Sequence, residues 1–387
     1  MSARLHVGII VPGFASSDDD WCNPWLTELA RELGRLADIR VHALRYPYRA
    51  DRYTAHGIGV RSYGGRQAAG LRRIPLTART VYGVVQDVRR RQLDLLHAFF
   101  AHEPGALAAL VGKWAGIPSV VTMLGGEISA LPSIDYGGLL SATNRRLARF
   151  ALTQSRHVIA ACPQQARRLT ALGWLGPAPE KSRLSVIPLG VDTTRFSPER
   201  PAYSGPPRLL SAGSLVPVKD HATLLDAFAK VLLGHPDATL TIAGGGPLRP
   251  NLESQAAERS LSRSVRFLGA VEYEDMPQLY RKADLLIVSS LSEGMSAVSL
   301  EAIASGCPIV GTRVGILDAL PRCATTVETG DASALGDAIS TLLFDAARLA
   351  RMRTACVEDV QEYEITRVAQ RIRATWLSLL ASQARVT

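Results

Sequence analysis

Cysteine is sparse in this 387-residue chain, which holds five, Cys22, Cys162, Cys307, Cys323 and Cys356, with no CxxC pair among them. Scattered thiols in odd number exclude a disulfide framework and a cysteine-based zinc site, and imply a reducing, cytosolic setting. No apolar run reaches the roughly 18 residues that a membrane span requires. The apolar stretch LHVGIIVP after Arg4 lacks a small-residue cleavage site, so it reads as a buried first strand rather than a secretory signal. The expectation is a soluble or peripheral protein. Repeats and low-complexity segments are missing as well, and a hydrophobic share of 47% argues for folded structure over disorder.

Acidic residues are also missing where it matters. None lies between Asp135 and Glu180, a stretch that holds Arg145, Arg146, Arg149, Arg156, Arg167 and Arg168. Residues 1–195 carry 25 Lys/Arg against 14 Asp/Glu, or +11, and the remainder carries 19 against 21, or −2, together the +9 of the whole chain. A second basic region, from Arg40 to Arg91, includes Arg72, Arg73, Arg89 and Arg90. Two readings stand side by side: a solvated arginine-rich surface, or attraction to anionic lipid headgroups or phosphates. Nucleic acid is not expected as a partner, because no aromatic-interleaved basic run accompanies the charge.

What is present is alternation. Short apolar runs, LHVGIIVP, IRVHAL, LDLLHAF, PSVVTML and HVIAAC, are separated by amphipathic stretches such as PWLTELARELGRLA, whose Leu26, Leu29, Ala30, Leu33 and Leu36 share one helical face. The pattern restarts after residue 200 with PRLLSAGS, ATLTIAGG, VRFLGAV, DLLIVSS and CPIVGT. Strands alternating with helices predict parallel sheets covered on both faces. The connector around Pro198, Pro201, Pro206 and Pro207 is stiff and irregular, so two α/β, doubly wound, Rossmann-like domains are expected, 1–200 and 201–387. Such a pair implies a cleft, with ligands at the carboxyl ends of the strands. The stretch EDVQEYEITRVAQRIRATWLSLLASQ reads as one long amphipathic helix, with the option that it crosses back to the first domain.

The segment SSLSEGMSAVSLEAIASGCPIVGT, residues 289–312, reads as strand end, loop, then a helix closed by Gly306 and Pro308. Glu293 falls on the loop and Glu301 on the helix. Gly294 lets the backbone approach a ligand, and the helix-start amides of Met295, Ser296 and Ala297 can hold a phosphate. A carboxylate, an anion cradle and a second carboxylate suit a nucleoside diphosphate sugar, although an ordinary strand–loop–helix with solvated glutamates gives the same spacing.

SEGMSAVSLEAIASGCPIV resembles the EX7E signature of retaining GT-B glycosyltransferases, the glycogen-synthase-like group called glycosyltransferase family four. LSAGSLVPVKDHATLLDAF, LTIAGGGPL, VRFLGAV, LYRKADLLIVSSLSEGM and VIPLGVDTTRFSP match that family's segments too, covering most of the chain. The resemblance implies a GT-B fold, two Rossmann-like domains facing each other across a cleft. By it, Glu293 contacts the transferred sugar, Glu301 binds the donor ribose hydroxyls, residues 294–297 face the diphosphate, and Lys219 neutralises the leaving phosphate. A fixed ammonium beside helix-terminal amides would stabilise that developing charge. The implied activity is transfer from a nucleotide-sugar donor to a saccharide or lipid-linked acceptor, with no metal or other cofactor. Location is expected to be cytoplasmic, with peripheral attachment to the inner membrane face left open. The alternatives are a non-catalytic GT-B subunit, or an epimerase or phosphorylase of that fold.

Three positions depart from the family pattern. Ser214 stands on the donor side where an arginine is usual, Gly245 replaces an acid, and Leu124 replaces the histidine of a His-Gly pair, followed by Gly125 and Gly126. Glu127 matches the acid after that pair and is expected, with Gly125 and Gly126, on the acceptor side. His97 and His102, in LLHAFFAHEPG, lie near a strand's carboxyl end, and either is a candidate to bring an imidazole into the cleft. The run Asp18 to Asp20 is expected to be solvated rather than metal-binding.

Overall fold

Every apolar run named above becomes a strand. The structure, a computed structural model, describes residues 4–66, 68, 73–91, 93–175, 183–199, 203 and 205–383; Arg72, Glu180 and Pro201 fall outside them. The chain divides into two units, Met1–Gly190 with Ile365–Thr387, and Val191–Glu364.

Unit 1 is built on β1 (His6–Gly13), β2 (Asp38–Tyr46), β3 (Ala50–Ala55), β4 (Ile58–Tyr63), β5 (Leu95–Phe99), β6 (Ser119–Met123), β7 (His157–Ala160) and β8 (Leu184–Val186), in the order β3-β4-β2-β1-β5-β6-β7-β8. Its helices are α1 (Pro24–Leu36), α2 (Arg73–Arg91), α3 (Glu103–Ala115), α4 (Ala142–Gln154) and α5 (Pro163–Ala171). Leu26, Leu29, Ala30 and Leu33 of α1 are buried, as their spacing predicts. The core joins Ile10, Leu96, Val121 and Val158 from the sheet to Leu107, Val111, Ala148 and Leu152 from the helices.

Unit 2 is built on β9 (Arg208–Ala212), β10 (Thr239–Ala243), β11 (Val265–Gly269), β12 (Leu285–Val288), β13 (Ile309–Thr312) and β14 (Ala324–Val327), in the order β11-β10-β9-β12-β13-β14, parallel throughout. Helices α6 (His221–Gly234), α7 (Arg249–Glu258), α8 (Met276–Lys282), α9 (Ala297–Ala304), α10 (Ala332–Phe344) and α11 (Ala346–Asp359) accompany them. Leu209, Leu240, Ile287 and Val310 of its sheet pack on Leu225, Phe228, Leu335 and Ile339.

Two expectations change. The sheet of unit 1 is not wholly parallel, because β3 and β4 form an antiparallel hairpin. Its turn is His56-Gly57, at φ 50° and 76°, the paired left-handed geometry that matches strand twist in a two-residue loop. The closing stretch is not one helix. Helix α11 ends at Asp359, a tight 3-10 turn covers Val360–Tyr363, and Glu364 leaves the helical region at ψ 133°. There the chain bridges Val191, and α12 (Ile365–Gln383) then returns to unit 1, where it packs on α1.

The strand orders locate where each unit can bind. Order reverses between β1 and β5 in unit 1, and between β9 and β12 in unit 2. Loops leaving adjacent strands in opposite senses open a crevice at such points, at the strands' carboxyl ends.

Candidate functional site

The loops that follow β9 and β12 meet at the reversal point of unit 2. Gly213, at φ 148°, turns the chain out of β9, and a Cβ on Gly244 would lie 1.9 Å from its carbonyl oxygen, so the loops after β9 and β10 pack backbone to backbone. The first loop ends in the 3-10 turn Pro217–Lys219. Leu291 N–H donates to the Val218 carbonyl at 2.8 Å, and Ser289 Oγ donates to the Lys219 carbonyl at 2.9 Å. These bonds fix the two loops side by side.

The side chains follow. Lys219 Nζ donates to Glu293 Oε1 at 2.5 Å, and Ser290 Oγ donates to the same oxygen at 2.7 Å. The lysine side chain is 24% exposed and the glutamate 10%, so the pair is largely withdrawn from solvent yet reachable. Gly315, at φ 60°, supports this loop from β13: a Cβ there would sit 2.9 Å from both Glu293 Cβ and the Met295 carbonyl. Ile316 N–H donates to that carbonyl.

The chain enters α9 through Ser296 in a left-handed conformation, φ 78°, and no side chain caps the helix's first amides. Ser296 Oγ bonds Ser299 Oγ instead. Gly294 and Met295 are buried and Ala297 half-buried. One turn into α9, Glu301 is buried, and its Oε2 accepts from the hydroxyl of fully buried Tyr280 at 2.7 Å. Burial, then the Glu301 charge, hold the Tyr280 hydroxyl well above its ordinary pKa, so it stays a donor. Ser214 is exposed on the Lys219 loop. His221, just beyond, is pushed down to about 4 by burial and then by Lys219, so it is neutral.

Sequence spacing did not find Ser290, Tyr280 or Gly315. Ser290, three residues before Glu293, was visible in SSLSEG. Tyr280 and Gly315 reach the two acids only through packing of α8 and of the β13 exit, which leaves no local signature.

In unit 1 the candidates have other duties. Glu127 is 2% exposed, and its carboxylate accepts from the N–H groups of Leu124 at 3.0 Å, Gly125 at 2.5 Å and Ala101 at 3.3 Å. It therefore ties the loop after β6 to the loop after β5. Leu124 is buried. His97 is a correction: it is wholly buried, Nε2 lies 2.7 Å from Thr122 Oγ1, and Nδ1 accepts from Trp376 Nε1 of α12. Burial, with His157 nearby, lowers its pKa to about 3, so it is a neutral core residue and not a ligand-facing imidazole. Asp20 is structural as well, since its Oδ2 accepts from Tyr46 Oη and from Ser16 N and Oγ. Among the described residues, no group of three or more His, Cys, Asp or Glu is placed to hold a metal ion, and no helix is long and apolar enough to cross a membrane.

Against known families, residues 192–358 match the description "Glycosyl transferases group 1", and residues 23–190 match "Glycosyl transferase 4-like domain". The chain belongs to these glycosyltransferases. As one of them, it is 30% identical over 247 residues to a D-inositol 3-phosphate glycosyltransferase of Nocardia farcinica, a match covering 59% of this chain and 54% of the relative. It is 28% identical over 299 residues to a GDP-mannose-dependent monoacylated alpha-(1-6)-phosphatidylinositol monomannoside mannosyltransferase of Corynebacterium glutamicum, covering 72% and 74%. The chain thus spans about half to three quarters of the length of these relatives. In structure it is similar to a sucrose-phosphate synthase from Thermosynechococcus elongatus, with a TM-score of 0.80 at 21% identity over 98% of this chain and 100% of that one. The fold is GT-B.

Proposed function

We propose that the chain transfers a glycosyl group from a nucleotide-sugar donor to an acceptor hydroxyl, in glycan or lipid-linked glycan synthesis, with retention of anomeric configuration. The observation that carries the reading is the Lys219–Glu293 pair at the reversal point of unit 2, beside the uncapped start of α9. In this scheme the acceptor oxygen bonds to the sugar's anomeric carbon as the bond from that carbon to the phosphate oxygen breaks. The electron pair leaves with the diphosphate, and the acceptor proton passes to a phosphate oxygen on the same face. Lys219 and the amides of residues 294–297 meet the diphosphate charge, and no metal is called for. Ser214 contributes a hydroxyl where a second cation would stand. Glu293 orients the transferred sugar, and Glu301, held by Tyr280, takes the ribose hydroxyls.

A thermal-shift screen against UDP-, GDP- and ADP-sugars finds the donor, because a ligand that favours the native state raises the midpoint. Product analysis with the donor so found then tests transfer. Glu293→Ala is expected to abolish it in a protein that still unfolds cooperatively, at a midpoint lowered by loss of the Lys219 and Ser290 hydrogen bonds. Nucleotide binding without transfer or donor hydrolysis would refute the reading in favour of a non-catalytic subunit.

The same reading places the protein in the cytoplasm, at the inner face of an anionic membrane. Its support is a face of unit 1 on α2 and α3, where Tyr82 (65% exposed) and Trp114 (67%) lie with Arg89 and Arg90 along one groove. Aromatic rings and basic heads together suit a lipid interface. Flotation with phosphatidylserine vesicles is expected to carry the protein at low salt, less so at high salt and less so for Trp114→Ala. Absent or salt-insensitive binding would remove this part.

A further inference from the structure

The acid-free stretch between Asp135 and Glu180 places cations at the end of unit 1 that faces away from its strands' carboxyl ends. There, at the amino ends of β6 and β7, a cavity of about 610 Å³ opens between the last turns of α3 and α4 and the end of α12. These strands are five and four residues long, so the cavity lies about 15 Å from their carboxyl ends, where a doubly wound unit receives its substrates. It shares no residue with the donor or acceptor candidates described above.

Its walls are held by bonds within the fold. Arg156 N–H donates to the Ser119 carbonyl at 2.9 Å, and Ile117 N–H to the Gly112 carbonyl at 3.0 Å. Gln383 Nε2 of α12 donates to the Gly116 carbonyl at 2.7 Å. Arg183 Nη2 donates to the carbonyls of Leu152, Thr153 and Ser155 at 3.3, 3.0 and 2.6 Å. The carbonyls that close α3 and α4 thus have partners already, and Arg183 is engaged by them.

The charge around the cavity is not balanced. Lys113, Arg156 and Arg183 line it, and no Asp or Glu does. Exposed Lys113 meets the neutral amide oxygen of Gln154 at 3.3 Å, and among the described residues no carboxylate pairs with the exposed Arg156 guanidinium. Burial first, and then the Arg156 charge, hold the Arg183 guanidinium below its ordinary pKa, as expected of two like charges set side by side. Each helix carboxyl end supplies about half a negative charge, so the two ends offset about one of the three positive charges and leave an excess of about two.

That excess matches a phosphate monoester, which carries about −1.5 to −2 at pH 7. The planar donor fork of arginine suits phosphate oxygens. Ile117, Pro118 and Leu379 add apolar surface beside the cations, and the volume admits a small organic ligand rather than a bare ion.

We propose that this cavity binds a phosphate monoester, its phosphate between Lys113 and Arg156 and its carbon part on Ile117, Pro118 and Leu379. A free polyol or sugar phosphate and the headgroup of phosphatidic acid offer that same chemistry. The site is separate from the transfer site and does not rest on the transferase reading.

The test uses the full chain at constant ionic strength. Titration calorimetry takes sn-glycerol 3-phosphate as probe and glycerol as its neutral control, and flotation takes phosphatidylcholine vesicles with and without phosphatidic acid. At least one phosphate probe is expected to bind, and Arg156→Gln is expected to weaken that binding about fivefold or more. Lys113→Gln reads the same site where Arg156→Gln does not fold. Saturable binding of glycerol 3-phosphate supports the site with a free ester as its ligand, whereas Arg156-dependent flotation on phosphatidic acid alone supports it with the lipid headgroup. Binding of neither probe, glycerol bound as tightly as its phosphate, or a smaller effect in both variants overturns the assignment. Binding that is lost in Lys219→Ala and kept in Arg156→Gln overturns it too, because the phosphate would then sit at the donor site.

Discussion

Replacing Glu293 by glutamine should tighten the grip of this protein on a nucleoside diphosphate while stopping transfer. In the ligand-free protein Lys219 donates to Glu293, and both side chains are mostly out of water. If Lys219 is the diphosphate's cation, binding must draw that ammonium away from a carboxylate, and must also bring a second anion close to the first. A hydrogen bond between charged groups contributes about 1.5–3 kcal/mol net. Glutamine keeps the shape and still accepts from Lys219 and Ser290, but as a neutral acceptor it returns about half of that. The expected gain is therefore about 0.7–1.5 kcal/mol, or roughly three- to twelvefold in Kd. Lys219→Ala should do the opposite, weakening the same ligand at least about tenfold, because it removes the cation and leaves Glu293 facing the phosphates. Titration calorimetry with UDP and GDP on the three proteins reads both signs. Transfer by Glu293→Gln should drop by about two orders of magnitude or more, as an interaction made in the transition state is lost. A Glu293→Gln protein that binds the nucleotide more weakly than its parent would show that Lys219 and Glu293 do not compete with a diphosphate.

Three other outcomes test the same structure. Gly315→Ala places a Cβ 2.9 Å from Glu293 Cβ at φ 60°, so it should destabilise by about 1–3 kcal/mol in denaturant unfolding and depress transfer further than stability explains; Gly245→Asp, with its nearest neighbour at 3.9 Å and no positive φ, should stay within about 0.5 kcal/mol. Tyr280→Phe removes the donor that holds buried Glu301 and should cost about 1–3 kcal/mol of stability, and an unchanged midpoint would mean that the carboxylate has another adequate partner. Burial, aided by Arg61, Arg40 and Arg52 around His42 and by His157 near His97, lowers both imidazoles to about 3, so the fold keeps them neutral while the unfolded chain protonates them near 6.5. Their stabilising contribution is whole above pH 6.5 and is lost as pH falls from there toward 3, by up to about 1.4 kcal/mol per pH unit for each histidine; stability of His97→Gln that falls with pH as steeply as the parent's would refute the assignment for His97.

Ten strands were legible because each is a short apolar run bounded by turn residues, and most of them, though not the edge strand β11, are buried on both faces. The four that were not, β3, β4, β8 and β14, lack that signature. ADRYTA on β3 is mostly exposed, LSV on β8 spans three residues, and ATTV on β14 is only partly buried. Such edge and near-edge strands form because a neighbour offers its hydrogen bonds, and that neighbour is remote in sequence. The break before the final helix leaves no signature for a related reason. EDVQEYEITR keeps a helical apolar period through the break, and at the turn Val360–Tyr363 the Val191 N–H donates to the Tyr363 carbonyl and bridges the chain there. Periodicity reports what a segment buries, not where a partner interrupts it.

The site divides along the same line. Glu293 and Glu301 stand in one continuous segment whose strand, loop and helix are all local, so their placement followed from the letters alone. Lys219 could be named because its segment, GSLVPVKD, resembles that of the family and sets the lysine in a loop after a strand. The groups that give these side chains their chemistry come from elsewhere: Tyr280 from α8, and Gly315 from the exit of β13. His97 shows what happens without them. From its letters it is an imidazole at a strand end beside a candidate pocket, with His102 five residues on. Trp376 of α12, 279 positions away, closes over His97 and makes it core, while Gly138 packs against His102 Nε2 and covers it. Two histidines in one short segment thus take their surroundings from residues that neither spacing nor composition could have associated with them.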